Sequence, residues 1–61
     1  MSDFEPMLWK ERRELGLKIY KLDYIIETYN SINKLEYELL VLQSTAMKTY
    51  LSVLDSRLRL T

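Results

Sequence analysis

An all-α fold is the expectation for this 61-residue chain: an antiparallel two-helix hairpin that forms a homo-oligomeric helical bundle. Three observations carry that reading. Apolar residues recur at steps of three and four along two stretches of helical length. The one Gly and the one Pro both fall at the start of the chain, so the rest lacks the usual punctuation of loops. Finally, 48% of residues are apolar while cysteine and histidine are absent. A chain this short hides only about 60% of its unfolded surface. With no disulfide and no zinc-type ligand set to staple it, association with copies of itself or with a partner is the remaining way to complete a core.

Residues 1–61 are read as a single helical-hairpin domain. The first helix is expected over about 4–29. Ser2 and Glu5 have the spacing of a capping box, Pro6 suits a first helical turn, and Asp3 and Glu5 suit the positive end of the helix dipole. Leu8, Leu15, Ile19, Leu22, Ile26 and Tyr29 then follow one seam, with Arg12 at the position the apolar residues skip. Gly16 sits inside this helix, where it costs about 1 kcal/mol relative to Ala. A turn is expected at 30–33, because Asn33 and Glu36 repeat the capping-box spacing and Ile32 and Tyr37 occupy the positions of a hydrophobic staple. A turn this short makes the helices antiparallel neighbours.

The second helix is expected over 34–60. Its seam reads Leu40, Gln43, Met47, Tyr50 and Leu54. A second row of Leu39, Leu42, Ala46 and Val53 lies beside it, and Leu35, Leu51 and Leu58 widen the face. Lys48 is the lone charge between Leu39 and Leu54. A helix covered by one neighbour needs a narrower stripe than this. Leu39, Leu42, Ala46, Leu51, Val53 and Leu58, with Tyr20 and Tyr24, which stand four apart on one face of the first helix, are assigned to an oligomer or partner interface.

Charge and residue types exclude several functions. Nine basic residues balance nine acidic ones, whereas generic DNA or RNA binding wants a basic excess. No apolar run approaches the ~18–20 residues that span a bilayer. Lys18 and Lys21 share their face with Asp23 and Glu27, which is no basic field for a membrane surface. The start of the chain has no positive region of the signal-peptide kind, and a cysteine-free chain suits the cytosol. Enzymatic activity is not expected. There is no His or Cys, nothing sets a base beside the Ser and Thr residues, and Glu11 and Glu14 flank Arg12 and Arg13 as an ion-paired helix face. No cofactor or metal is expected, since no glycine-rich phosphate loop and no metal-loop spacing occur.

The arginines are the informative residues. A hairpin mirrored about residues 31–32 sets Arg12 level with Leu51, Trp9 near Leu54 and Arg57 near Pro6. Trp9, Arg12, Arg13, Tyr50 and Arg57 then gather toward one end, with Arg59 at the tip. Guanidinium groups bind phosphate bidentately and aromatic faces stack on bases, so this group is a candidate anion or nucleotide site. Ordinary ion pairing of Arg12 with Glu11, Glu14 or Asp55 is the competing reading. Tyr20, Tyr24, Tyr29, Tyr37 and Tyr50 suit a half-wet surface, as core edge, oligomer contact or stacking platform.

A family resemblance supports the hairpin. Glu11-Arg12-Arg13-Glu14-Leu15, followed by Ile19 and Leu22, resembles the opening of a group of short phage proteins related to a small protein of crAss-like phages. The run Leu40, Leu42-Gln43, Ala46-Met47, Tyr50-Leu51, Leu54 and Arg57-Leu58 resembles their second half, so the likeness covers about residues 8–60. The turn Thr28-Tyr29-Asn30-Ser31-Ile32 departs from their Phe and Ser-rich turn. The resemblance implies a phage-encoded accessory protein acting in the host bacterial cytoplasm against host defence. By analogy with other small viral proteins, it implies an oligomeric sponge for a cyclic or related signalling nucleotide. Two other roles stay open: an inhibitor or adaptor docking on a host protein, and a structural coiled-coil subunit.

Overall fold

The computed structural model describes residues 4–29 and 31–61, and they form two helices, α1 (Phe4–Thr28) and α2 (Lys34–Leu60), that pack against each other as a hairpin. The molecule is a rod of 47 × 14 × 12 Å. The expected cap at Ser2 lies outside the described residues, as does Asn30 of the turn. α1 ends at Thr28, one residue before the expected limit. There the Tyr29 amide donates to the Ile25 carbonyl at 3.0 Å and the Thr28 hydroxyl to the Tyr24 carbonyl at 2.7 Å. The first of these satisfies a carbonyl that a helix end otherwise orphans, and the second adds a side-chain donor to the last turn. α2 begins as its cap requires. Asn33 adopts extended φ and ψ, and its side chain accepts from the Glu36 amide at 2.8 Å.

The core is a thin seam. Leu8, Leu15, Ile19 and Leu22 are buried on α1 and Leu54 on α2, with Met47, Leu51 and Leu58 packed half-buried beside them. The α1 seam therefore follows its apolar spacing up to Leu22, while Ile26 is half-buried and Tyr29 exposed beyond the helix end. On α2 the inner row differs from the expected one. Ser44 is buried, and Gln43 and Tyr50 are exposed. The inner row is thus Leu40, Ser44, Met47, Leu51, Leu54 and Leu58, itself a run of steps of four and three. Ser44 goes inside because its hydroxyl has an acceptor there, Asp23 Oδ1 at 2.6 Å. A buried hydroxyl with a partner loses little, whereas one without loses much.

Two polar ties set how the rods line up. Arg12 Nε donates to Asp55 Oδ1 toward the open end, and Ser44 and Lys48 both bind Asp23 toward the turn, the Lys48 ammonium at 2.9 Å. Arg12 with Asp55 and Asp23 with Ser44 each lie one helical turn further along α2 than a mirror about residues 31–32 gives, and Lys48 lies two turns further: Arg12 meets Asp55 rather than Leu51. Side chains on a helix lean toward its N-terminus, so in an antiparallel pair the heads of both partners are displaced toward their own helix starts.

Much apolar surface stays uncovered. Among the described residues, five hydrophobic side chains are buried while sixteen large ones are exposed. No helix among the described residues is long and apolar enough to cross a membrane. Gly16 marks no close helix approach: a Cβ built there meets nothing within 4 Å.

Candidate anion-binding groove

Where α1 and α2 run side by side near the open end, Trp9, Arg12, Asp55, Leu58 and Arg59 line a shallow groove. The helical repeat puts them there. Trp9 and Arg12 are a turn apart on α1, and Asp55, Leu58 and Arg59 lie within a turn on α2. Leu58 forms the floor, packed against the core. Trp9 is half exposed, at 51%, and presents an apolar ring to the groove wall.

Arg12 is committed to Asp55 through Nε, and both side chains remain about one-third exposed, at 38% and 34%. The hydrogen bond to Asp55, and then its charge, raise the Arg12 pKa above its ordinary value. Nε is one of five guanidinium N–H donors, which leaves the terminal nitrogens for a further acceptor. Arg59 donates through Nη2 to Ser56 Oγ at 3.1 Å on its own helix. The groove therefore carries two guanidinium groups, one carboxylate and one indole. It suits a ligand with negative charge at one end and a flat ring at the other.

The expected cluster is divided between the two flanks of α2. Trp9 and Arg12 come together as anticipated. Arg57 lies elsewhere, its guanidinium carbon 5.3 Å from the centroid of the Phe4 ring, in a separate hollow lined by Phe4, Glu5, Arg57, Leu60 and Thr61. Tyr50 is 41% exposed and lines neither hollow, and Arg13 is exposed on α1. Helical phase explains the split. Arg57 is two residues from Asp55 and from Arg59, which puts it on the far side of the helix from both. Arg59 and Leu58 were missed as groove residues; their positions three and four after Asp55 carried the signal.

The interface residues divide as well. Leu39, Leu42, Ala46 and Val53 are exposed on α2, as are Tyr20 and Tyr24 on α1, where with Lys21 and Ile25 they line a shallow hollow. Leu51 and Leu58 instead pack half-buried within the hairpin, against Leu54 and the α1 leucines. Their phase matches the inner row and not the outer one. The tie of Asp23 with Ser44 and Lys48 was also missed. Its signal was a lone Lys in an otherwise uncharged stretch, one turn after a Ser.

The Ser44 hydroxyl, followed by Lys48, holds the Asp23 carboxyl below its ordinary value of 3.8. Among the described residues no group of Cys, His, Asp or Glu is placed to hold a metal ion.

No curated protein matches this chain, and no solved structure does. The sequence model of the Sequestin family does match, over residues 2–60, a span that contains both helices, both polar ties and the groove. The chain thus belongs to the Sequestin family, whose name denotes sequestration.

Proposed function

We propose that this chain is a phage-encoded binding protein that self-associates and sequesters a phosphorylated nucleotide signal of the host's defence in the bacterial cytoplasm, without chemistry on the ligand. The observation that carries the reading is the groove in which Trp9 stands beside Arg12 and Arg59, in a chain whose family is named for sequestration. Phosphate oxygens take the free guanidinium nitrogens of Arg12 and Arg59, and a base stacks on the indole. Asp55 tempers the site: it holds Arg12 in place and repels a bare anion, which favours ligands that also gain from stacking. Self-association brings grooves of several copies near one another and covers the apolar face of α2.

Calorimetry with cyclic dinucleotides, cyclic trinucleotides and ADP-ribose-type signals tests the reading. At least one should bind at micromolar affinity or better. Arg12→Ala and Trp9→Ala should each weaken it by about tenfold to a hundredfold, the scale of a charge-assisted hydrogen bond or a base–aromatic stack. No binding across the panel would remove the reading.

A second use of the surface has its own observation. Tyr20 and Tyr24 are 73% and 61% exposed on α1, further toward the turn than the groove and outside its lining, in the manner of a protein-docking patch. A stoichiometric host protein captured by the wild type and lost on Tyr20→Ala/Tyr24→Ala would favour an inhibitor or adaptor.

A further inference from the structure

We infer that two copies of this chain pair through their α2 helices in antiparallel orientation, about a two-fold axis between Ala46 and Thr49. This rests on the self-association proposed above and supplies its geometry. On the side of α2 away from α1, Leu35, Leu39, Leu42, Ala46, Thr49, Val53, Ser56 and Leu60 follow one another at strictly alternating steps of four and three, and all are exposed. This is a second heptad seam over nearly the whole helix, nearly opposite the inner one, at roughly 100° per residue.

The seam is its own complement when reversed. Setting Ala46 against Thr49 of a second copy sets Leu42 against Val53, Leu39 against Ser56 and Leu35 against Leu60. Ala46 and Thr49 are the small residues at the centre, where they let the helices approach; outside them Leu42 meets Val53, Leu39 has Ser56 to receive it, and Leu35 and Leu60 close the ends. A two-fold contact of this kind needs one patch that matches itself.

Charge selects the orientation. Of the residues that border the seam, Gln43, Thr45, Tyr50 and Ser52 are uncharged, Glu36 and Glu38 lie at the start of α2, and Arg57 and Arg59 lie at its end. In the antiparallel register Glu36 falls beside Arg57 of the second copy and Glu38 beside its Arg59, at both ends of the contact. A parallel pair would bring glutamates near glutamates and arginines near arginines, with no opposite-charge pair across the seam. Arg57 already stands over the Phe4 ring, so its charge is held at the border of the seam.

The chain has no cysteine, which makes cross-linking a clean test. Leu39→Cys and Ser56→Cys are made as separate chains, since both side chains are exposed and lie outside the hairpin core. Under mild oxidation each alone should stay uncross-linked, and their mixture should give a disulfide-linked dimer. Cross-linking of each variant with itself would mean a parallel pair and overturn the inference while leaving self-association intact. Sedimentation showing a lone chain at high micromolar concentration would overturn self-association too. An oligomer with no cross-link in any mixture would place its contact elsewhere and overturn only this geometry. Charge reversal gives a second reading. Glu38→Arg and Arg59→Glu should each weaken self-association by about tenfold, since two related pairs turn repulsive, and the double variant should restore it. Failure of the double variant to recover would count against the register.

Discussion

The two sides of α2 solve opposite problems. The inner side is narrow, half-buried, interrupted by Ser44 and bordered by Asp55, each tied to a side chain of α1. The outer side is an unbroken heptad of exposed residues with charge at its two ends alone. Polar interruptions on the inner side fix one alignment of the rods, because a slip by a turn would strip Asp23 and Arg12 of their partners. The outer side has no such interruption, so apolar spacing and end charges are left to choose its neighbour. Burial and specificity are thus supplied by different residues, and the two sides can be perturbed separately.

The largest expected effect is at Leu54, which is completely buried and central to the inner seam. Leu54→Ala should cost about 2–5 kcal/mol, as removal of a core leucine does. In a protein with so small a core, chemical denaturation should show the hairpin largely unfolded. Leu42→Ala, on the outer side, removes a similar side chain but should leave helicity unchanged and shift only the association state. Equal loss of helicity in both variants would erase the distinction between the two sides.

Asn33→Ala comes next, at about 1 kcal/mol, the usual worth of a capping side chain. The cap sets the residue at which α2 starts, and thermal melting followed by circular dichroism measures its loss. Gly16→Ala should act in the other direction, stabilising by roughly 0.5–1 kcal/mol, because the helix gains propensity and the added Cβ has open space. A destabilising result would mean that the flank of α1 at Gly16 is covered by another copy, which would sharpen the comparison by adding a third covered surface.

The smallest effect is the pH dependence of the Asp23 tie. Its carboxyl is held below 3.8 in the fold, first by the Ser44 hydroxyl and then by Lys48. The folded state therefore takes up this proton less readily than the unfolded chain. The tie contributes fully above the ordinary range of an aspartate and fades as pH falls through that range and below it. An NMR titration of the wild type and Ser44→Ala checks this: the Asp23 midpoint should rise in the variant. An unchanged midpoint would mean that the hydroxyl does not hold the charge.

How far the sequence reached differs from element to element. The helix limits were legible at Asn33 and Glu36, because a cap is a contact between residues three apart and needs no tertiary partner. The α1 seam was legible through Leu8, Leu15, Ile19 and Leu22 because apolar spacing alone determines which side of a lone helix seeks cover. On α2 the same logic was ambiguous. Apolar residues occupy two stripes there, and spacing does not say which of them α1 will take. Gln43 and Tyr50 were placed inward, and Ser44 and Leu51 took those places. Two of the five groove residues, Trp9 and Arg12, were foreseen; Arg59 was placed at the tip, and Arg57, expected at the same end as Arg12, lies on the other flank of α2.

By itself the amino-acid sequence determined two helices, their limits, the cap between them and an excess of apolar surface that one hairpin cannot hide. All of these follow from contacts a few residues apart and from composition. Only the tertiary structure decided which stripe of α2 faces α1, that Ser44 goes inside, and that Arg12 meets Asp55 a turn beyond the simple mirror. Those outcomes depend on the lean of side chains and on hydrogen bonds across 21 to 43 residues of chain, and distances of that kind leave no periodic trace in sequence.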